Sequence, residues 1–316
     1  MTGGAKRLLA IVGPTACGKT AFAVRMAQEL GGEIISGDSR QVYRGMDIGT
    51  GKDLADYRTP QGDIPYHLID IAEPGEKYNV FRYQQDFAEA YADITRRGRY
   101  PILCGGSGLY VEAVIKNYGL LSVPPNSALR KRLESKSLEE LASILSSYQK
   151  LHNVTDLDNR RRAIRAIEIA DHLQSHPEES GPTGGLRTTV LGLDISRETR
   201  RERISRRLRA RLRDGMVDEV RGLLAKGVKA ENLIYYGLEY KYVTMFCIGQ
   251  MSYDEMQTQL EIAIHQFAKR QMTWFRGMER RGTHIGWIDA SQPANVMVAQ
   301  AKKIMAEAES DAPRRE

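Results

Sequence analysis

This chain has little cysteine and no long apolar run. Its three cysteines, Cys17, Cys104 and Cys247, lie far apart in 316 residues without a C-x-x-C spacing. That excludes a disulfide framework and a cysteine-built zinc site, and it fits reduced thiols in a cytosolic chain. His172 and His176 have H-x₃-H spacing, but no cysteine pair accompanies them. No segment approaches the roughly 18 apolar residues of a membrane span. The apolar run at 8–12 is too short for a secretory leader. A cytoplasmic protein with no membrane partner is therefore expected. No internal repeat is visible.

What is present is an ordinary globular composition, 41% hydrophobic and 27% charged, in a length comfortable for two domains. The net charge is +6, and its distribution says more than its size. Basic residues gather at Arg160, Arg161, Arg162 and Arg165, between Arg197 and Arg213, and from Lys269 and Arg270 through Arg276 to Arg280 and Arg281. Such clusters suit a polyanionic partner, and they equally suit solvated helix faces. Charge alone does not choose.

Hydrophobic patterning predicts strands at 8–12, 33–36, 67–71 and 101–104, with helices at 20–30 and 82–97 between them. Strands alternating with helices indicate a parallel α/β sheet with right-handed crossovers. From about 128 to 173 the pattern is helical, with Ser137 and Glu140 placed as a capping box. Residues 174–187 are polar and rich in Gly and Pro, which predicts a loop, and 188–195 return to strand character. Two long helical stretches follow Ser196, then a last strand at 285–288 and a frayed end at 309–316. The division expected is a sheet domain of 1–115 with 186–316, interrupted by a helical domain of 116–185.

The first predicted strand runs into Gly13, Pro14, Thr15, Ala16, Cys17, Gly18, Lys19 and Thr20, a G-x-x-x-x-G-K-T phosphate loop that opens a helix. Glycines let backbone N–H groups converge on phosphate oxygens, Lys19 supplies a point charge, and Thr20 offers a hydroxyl to Mg²⁺. The helix N-terminus adds partial positive charge. A nucleoside triphosphate is the default cargo, although the cradle reads phosphates and any diphosphate fits it. Asp38 follows the second strand at the same end of the sheet. It is placed to act as a general base or an outer Mg²⁺ ligand, or simply to cap a turn. Gly105, Gly106, Ser107 and Gly108 after the fourth strand bring backbone and a hydroxyl to that end too.

Taken together, GPTACGKT, EIISGDSRQVYRGMDIGTGK, HLIDIAEP, PILCGGSGLY, NRRRAIRAIEI and AKRQMTWFR resemble, in order and over nearly the whole chain, the tRNA dimethylallyltransferase (tRNA isopentenyltransferase) family, bacterial type. The resemblance implies a P-loop NTPase-like parallel sheet flanked by helices, with an inserted helical domain. It also implies transfer of a dimethylallyl group from dimethylallyl diphosphate to N6 of the adenosine 3′ of the anticodon, assisted by Mg²⁺. Under it, Asp38 is the base, while Lys19, Thr20 with Mg²⁺, and Arg207 face the diphosphate. Ser107 stands where the family usually has threonine. Ser39, Arg40, Gln41, Arg130, Arg161, Arg162, Arg165, Lys269, Arg270 and Arg276, with Asp38 and Ser107, are the expected tRNA contacts, and a monomer is expected. On the predicted helix after Ser196, Arg203, Arg207 and Arg211 flank the apolar stripe of Ile204, Leu208 and Leu212, whereas Arg206, Arg209 and Arg213 are expected to face solvent. The target adenosine is expected to be flipped into a channel between the sheet and the helical segment.

Three departures from the family pattern stand out. Cys17 replaces a serine, Thr155 to Asn159 replace His-Pro-Asn-Asp, and Glu239 stands in place of a glycine in Leu238-Glu239-Tyr240-Lys241-Tyr242. Two other readings remain open at this level. One is a phosphate-loop kinase of a small molecule; the other is an adenylate isopentenyltransferase that uses free AMP or ADP.

Overall fold

Along β1 (Arg7–Val12) successive residues bury themselves on opposite faces of a sheet. Leu8, Ala10 and Val12 pack into one core cluster, and Leu9 and Ile11 into another. A strand covered on both faces reads as a continuous apolar run, the mark of a central parallel strand. The computed structural model describes residues 7–117, 123, 125–148, 159–176 and 186–310. After β1 come α1 (Lys19–Leu30), β2 (Gly32–Ser36), a short 3₁₀ turn (Leu54–Tyr57), β3 (Tyr66–His67), α2 (Val80–Arg96), β4 (Tyr100–Gly105) and α3 (Gly108–Ile115). Three helices follow: α4 (Ser127–Leu133), α5 (Leu138–Tyr148) and α6 (Arg160–Ser175). The chain then forms β5 (Arg187–Asp194), α7 (Arg197–Arg213), α8 (Met216–Ala225), α9 (Ala230–Tyr235), α10 (Leu238–Cys247), α11 (Tyr253–Arg280), β6 (Gly286–Asp289) and α12 (Ala294–Ser310).

Among the described residues the strands form one six-stranded sheet in the order β3-β2-β4-β1-β5-β6, and every pairing is parallel. The first crossover carries the chain from β1 past the later position of β4 to β2, and β5 then returns to the other side of β1. The carboxyl ends of β1, β2 and β4 therefore open at neighbouring positions, where ligands of parallel α/β sheets gather. The two apolar clusters lie on the two faces of this sheet. One includes residues of α2, α3, α7 and α11, and the other residues of α1 and α12.

Chain contacts separate two units, Met1–Lys116 with Gly185–Glu316, and Asn117–Gly184. The second has its own small core of Leu129, Leu133, Leu141, Leu145, Ala163 and Ile167. Its α5 begins with the expected capping box. The Glu140 N–H donates to Ser137 Oγ at 3.2 Å, and the Ser137 N–H donates back to Glu140 Oε2 at 2.7 Å.

The strand expected at 67–71 is shorter than the pattern suggests. Leu68 and Asp70 have φ of 62° and 57°, so pairing stops at His67 and the chain turns toward residues 41–43. There the Ile71 and Ala72 N–H groups donate to Val42 O at 2.8 and 2.9 Å. Lys52, 1% exposed, ties this region down by donating to Tyr43 O at 2.8 Å, to Asp47 Oδ1 at 2.5 Å and to Asp70. The first of the two long helical stretches expected after Ser196 is divided into α7 to α10, with a break at Gly215 (φ 101°). In the loop expected at 174–187, residues 177–185 lie outside the described residues; Gln174 still belongs to α6 and Arg187 opens β5. Residues 155–158, and 311–316 of the expected frayed end, lie outside them too, whereas Glu309 and Ser310 close α12.

Candidate functional site

The phosphate loop joins the end of β1 to α1 through backbone that its sequence makes possible. Gly13 has φ 152°, and a Cβ there would sit 2.4 Å from the carbonyl oxygen of Leu193 in β5. Gly18 (φ 90°) precedes α1 without a side-chain cap, so among the described residues the N-cap offers no side-chain acceptor to the N–H groups of the first helical turn. Such a terminus is suited to an anion. Lys19 Nζ donates to Pro14 O at 2.7 Å, folding its charge over the loop. Thr20 opens onto the same cavity.

That cavity is about 1100 Å³ in volume and lies within the sheet unit, at the carboxyl ends of β1, β2 and β4. Asp38, two residues past β2, is fixed by its own turn: Oδ1 accepts from the Arg40 N–H at 2.8 Å. Among the described residues its second oxygen, Oδ2, takes no hydrogen bond, and the residue lines the cavity. Ser107 precedes α3, yet its hydroxyl does not cap that helix. It accepts instead from the Ser39 N–H at 3.0 Å and contacts Ser39 Oγ at 3.3 Å, joining the β2 and β4 loops. Gln41 spans Ser36 Oγ at 2.8 Å and Gly51 O at 3.1 Å, and Arg40 stacks over the exposed Tyr235 ring at 5.4 Å. Cys104, at the cavity floor, is buried, and burial pushes its thiol up to about 12, which leaves no thiolate for nucleophilic work near neutral pH.

One face of α11 closes the opposite wall. Phe267, Arg270, Gln271 and Trp274 line the cavity at the i, i+3, i+4, i+7 spacing of a single helix face. Gln271, 7% exposed, is the residue that sequence reasoning missed. Its Oε1 accepts from the Thr15 N–H at 2.8 Å, and its Nε2 donates to Gly106 O at 2.9 Å. It therefore bridges the phosphate loop and the glycine loop. Trp274 packs against Gly108, where a Cβ would approach its ring to 2.3 Å, whereas Phe275 is fully buried core. The helical spacing from Arg270 and Trp274 would have pointed to Gln271; its bonding partners lie too far along the chain to be read locally.

Arg207 lies on the cavity wall and pairs with Asp53. Arg203 and Arg211 line the wall as expected from the α7 stripe. Arg206 does not belong wholly to the solvated face: although exposed, it also borders the cavity, because this wall extends around more than one side of α7. Lys269 and Arg276 are exposed on α11 away from the cavity lining.

The helical unit holds the remaining predicted contacts. Arg161 and Arg162 are exposed in the first turn of α6. Arg130 and Arg165 have an internal use. Arg130 forms a two-pronged pair with the buried Glu168 at 2.7 and 2.8 Å. Arg165 reaches Glu168 at 3.1 Å and Val123 O at 2.8 Å. His172 and His176 stack at 4.3 Å.

Two family models match the chain, "IPP transferase" over residues 41–278 and "Isopentenyl transferase" over residues 6–57. It is 60% identical over 298 residues to "tRNA dimethylallyltransferase 1" of Parabacteroides distasonis, covering 94% of this chain and 97% of the relative. To "tRNA dimethylallyltransferase 2" of Bacteroides fragilis it is 61% identical over 300 residues, covering 95% and 98%. The crystal structure of the full-length tRNA isopentenylpyrophosphate transferase of Bacillus halodurans superposes with a TM-score of 0.67 at 32% identity, over 96% of this chain and 99% of that one.

Proposed function

Because the chain belongs to the IPP transferase family, whose members here carry the name tRNA dimethylallyltransferase, we propose that it transfers a dimethylallyl group from dimethylallyl diphosphate to N6 of the adenosine 3′ of the anticodon in tRNA. The observation that carries this reading is that Asp38 Oδ2, without a hydrogen bond among the described residues, shares one cavity with Lys19, Thr20 and Arg207. A base and a diphosphate cradle thus face the same space.

In the reaction a bond forms between N6 and the allylic carbon, and the bond from that carbon to the diphosphate oxygen breaks. The N6 proton passes to Asp38 Oδ2. Electron density released onto the leaving diphosphate is met by Lys19, by the N–H groups at the start of α1 and by Arg207. Preorganised donors of this kind are typically worth about 10²–10³ in rate each. Ser107 and Ser39, bonded to one another, hold the Asp38 loop against the end of β4 and present hydroxyls to the acceptor base.

Mg²⁺ fits the donor set. Among the described residues no cluster of three or more His, Cys, Asp or Glu side chains forms a metal cage. Mg²⁺ commonly needs none, since it keeps waters and takes phosphate oxygens together with one or two side chains. Thr20 would hold it through its hydroxyl, with Asp38 as an outer ligand. When bound, the ion supplies charge neutralisation on the leaving diphosphate.

The direct test is acceptor choice. With dimethylallyl diphosphate and Mg²⁺, pyrophosphate release is expected with tRNA and absent with AMP or ADP. Release with free nucleotide replaces the tRNA acceptor. Phosphate transfer from ATP to a small molecule replaces the prenyl chemistry altogether.

A further inference from the structure

Resting on the reading of the cavity as a prenyl diphosphate site, we propose that Arg211 is a second diphosphate-binding guanidinium beside Arg207, facing the carboxylates of Asp53 and Glu239 without bonding to them. Arg211 lies one helical turn beyond Arg207 on α7. The two line a narrow recess together with Thr15 and Ala16 of the phosphate loop and Glu239 of α10.

The Arg211 side chain is only 14% exposed, and among the described residues its buried Nη2 has no hydrogen-bond partner. The nearest carboxylate oxygens are at ion-pair range, beyond hydrogen-bond length: Asp53 Oδ1 at 3.7 Å from Nη2 and Glu239 Oε1 at 4.0 Å from Nη1. A guanidinium serving only as a strut would close those bonds, because a buried donor without an acceptor is costly. Here the donors are left over, in a recess that includes the loop that cradles phosphate.

The backbone has made room for both arginines. Gly51 has φ +64°, and a Cβ there would sit 1.7 Å from Arg211 Nη2 and 2.7 Å from Arg207 Nη2. Asp53, two residues on, bonds Arg207 and faces Arg211, so one carboxylate stands before two guanidinium groups. That arrangement suits an anion with more oxygens than a carboxylate has, since each guanidinium can fork onto two of them. Burial raises the Glu239 carboxyl above the usual range, which weakens its claim on Arg211. Glu239 is also the residue that stands where the family pattern has glycine, which couples this departure to the arginine.

Arg211→Met keeps an unbranched apolar stem and removes the guanidinium and its charge. Titration with inorganic pyrophosphate and Mg²⁺ is expected to show binding weakened about 10-fold or more. The KM for dimethylallyl diphosphate should rise in parallel, with the KM for tRNA unchanged. Pyrophosphate affinity equal to that of the unsubstituted protein overturns the proposal, as does an equal rise in both KM values. Asp53→Asn keeps both arginines and removes the competing carboxylate, so it is expected to tighten pyrophosphate binding several-fold. It carries the test should Arg211→Met fail to fold, and weaker or unchanged binding by Asp53→Asn then overturns the proposal. Failure of the unsubstituted protein to bind pyrophosphate sinks the underlying site reading instead, which keeps the two failures distinct.

Discussion

Gln271 accepts a hydrogen bond from the Thr15 backbone N–H at 2.8 Å, although 256 positions separate the two residues. With its second bond to Gly106 O, the same side chain fixes the phosphate loop relative to the loop that carries Ser107. Replacing Gln271 with Leu removes both bonds and leaves a donor and an acceptor facing apolar surface. A stability loss of about 1–3 kcal/mol is expected, together with weaker pyrophosphate binding, read by thermal unfolding and titration. A variant with unchanged affinity would show that the loop keeps its shape without the bridge.

Asp38→Asn tests the base. Asparagine still offers an oxygen to the Arg40 N–H, so the turn survives while proton acceptance is lost. The turnover rate is expected to fall about 10²–10⁴-fold with pyrophosphate affinity little changed. Single-turnover kinetics measures the first and titration the second. Turnover within a factor of two of the parent excludes Asp38 as the base.

How much of this was legible in the sequence follows from how local each signal is. The phosphate loop and Asp38 could be read because a few consecutive residues dictate the backbone at the end of a buried strand. Gln271 could not, since its meaning depends on two loops brought together only by the sheet. The short β3 was hidden for a different reason: Leu68 and Asp70 take left-handed backbone without being glycine, and no residue type announces that. Arg211 was placed on the right stripe, but its free donors are a product of packing between α7 and the glycine-rich loop. Arg130 is an expected tRNA contact from its motif position, and its bond to buried Glu168 is a further use that only the folded helical unit reveals.

Acid should find a weak point at Glu33. Hydrogen bonds from Arg97, opposed by burial and helped by His67, hold this carboxyl below its ordinary range. A depressed native pKa means that its stabilisation is full above the unfolded value of about 4.3 and is lost as pH falls through the native value. Glu33→Gln should therefore lower the melting temperature at neutral pH, by about 1–3 kcal/mol in stability. Between about pH 5 and 3 the variant should lose less further stability than the parent. Parallel melting curves across that window would remove Glu33 from the acid response.

Arg161 and Arg162, exposed at the start of α6, should act through phosphate charge. Changing both to Ala is expected to weaken tRNA binding and to flatten the dependence of log affinity on log salt by about 0.7–0.9 per lost phosphate contact. Filter binding over a salt series checks this. An unchanged slope would remove these arginines from the RNA-facing surface.

On the function proposed above, the cavity at the ends of β1, β2 and β4 performs prenyl transfer to a tRNA adenosine. Mass spectrometry of nucleosides from anticodon-loop fragments, after incubation of unmodified tRNA with dimethylallyl diphosphate and Mg²⁺, tests it most directly. The predicted result is N6-dimethylallyl adenosine at the position 3′ of the anticodon, formed by the parent protein and lost with Asp38→Asn. Unmodified adenosine there, with a protein that is folded and binds pyrophosphate, would contradict it.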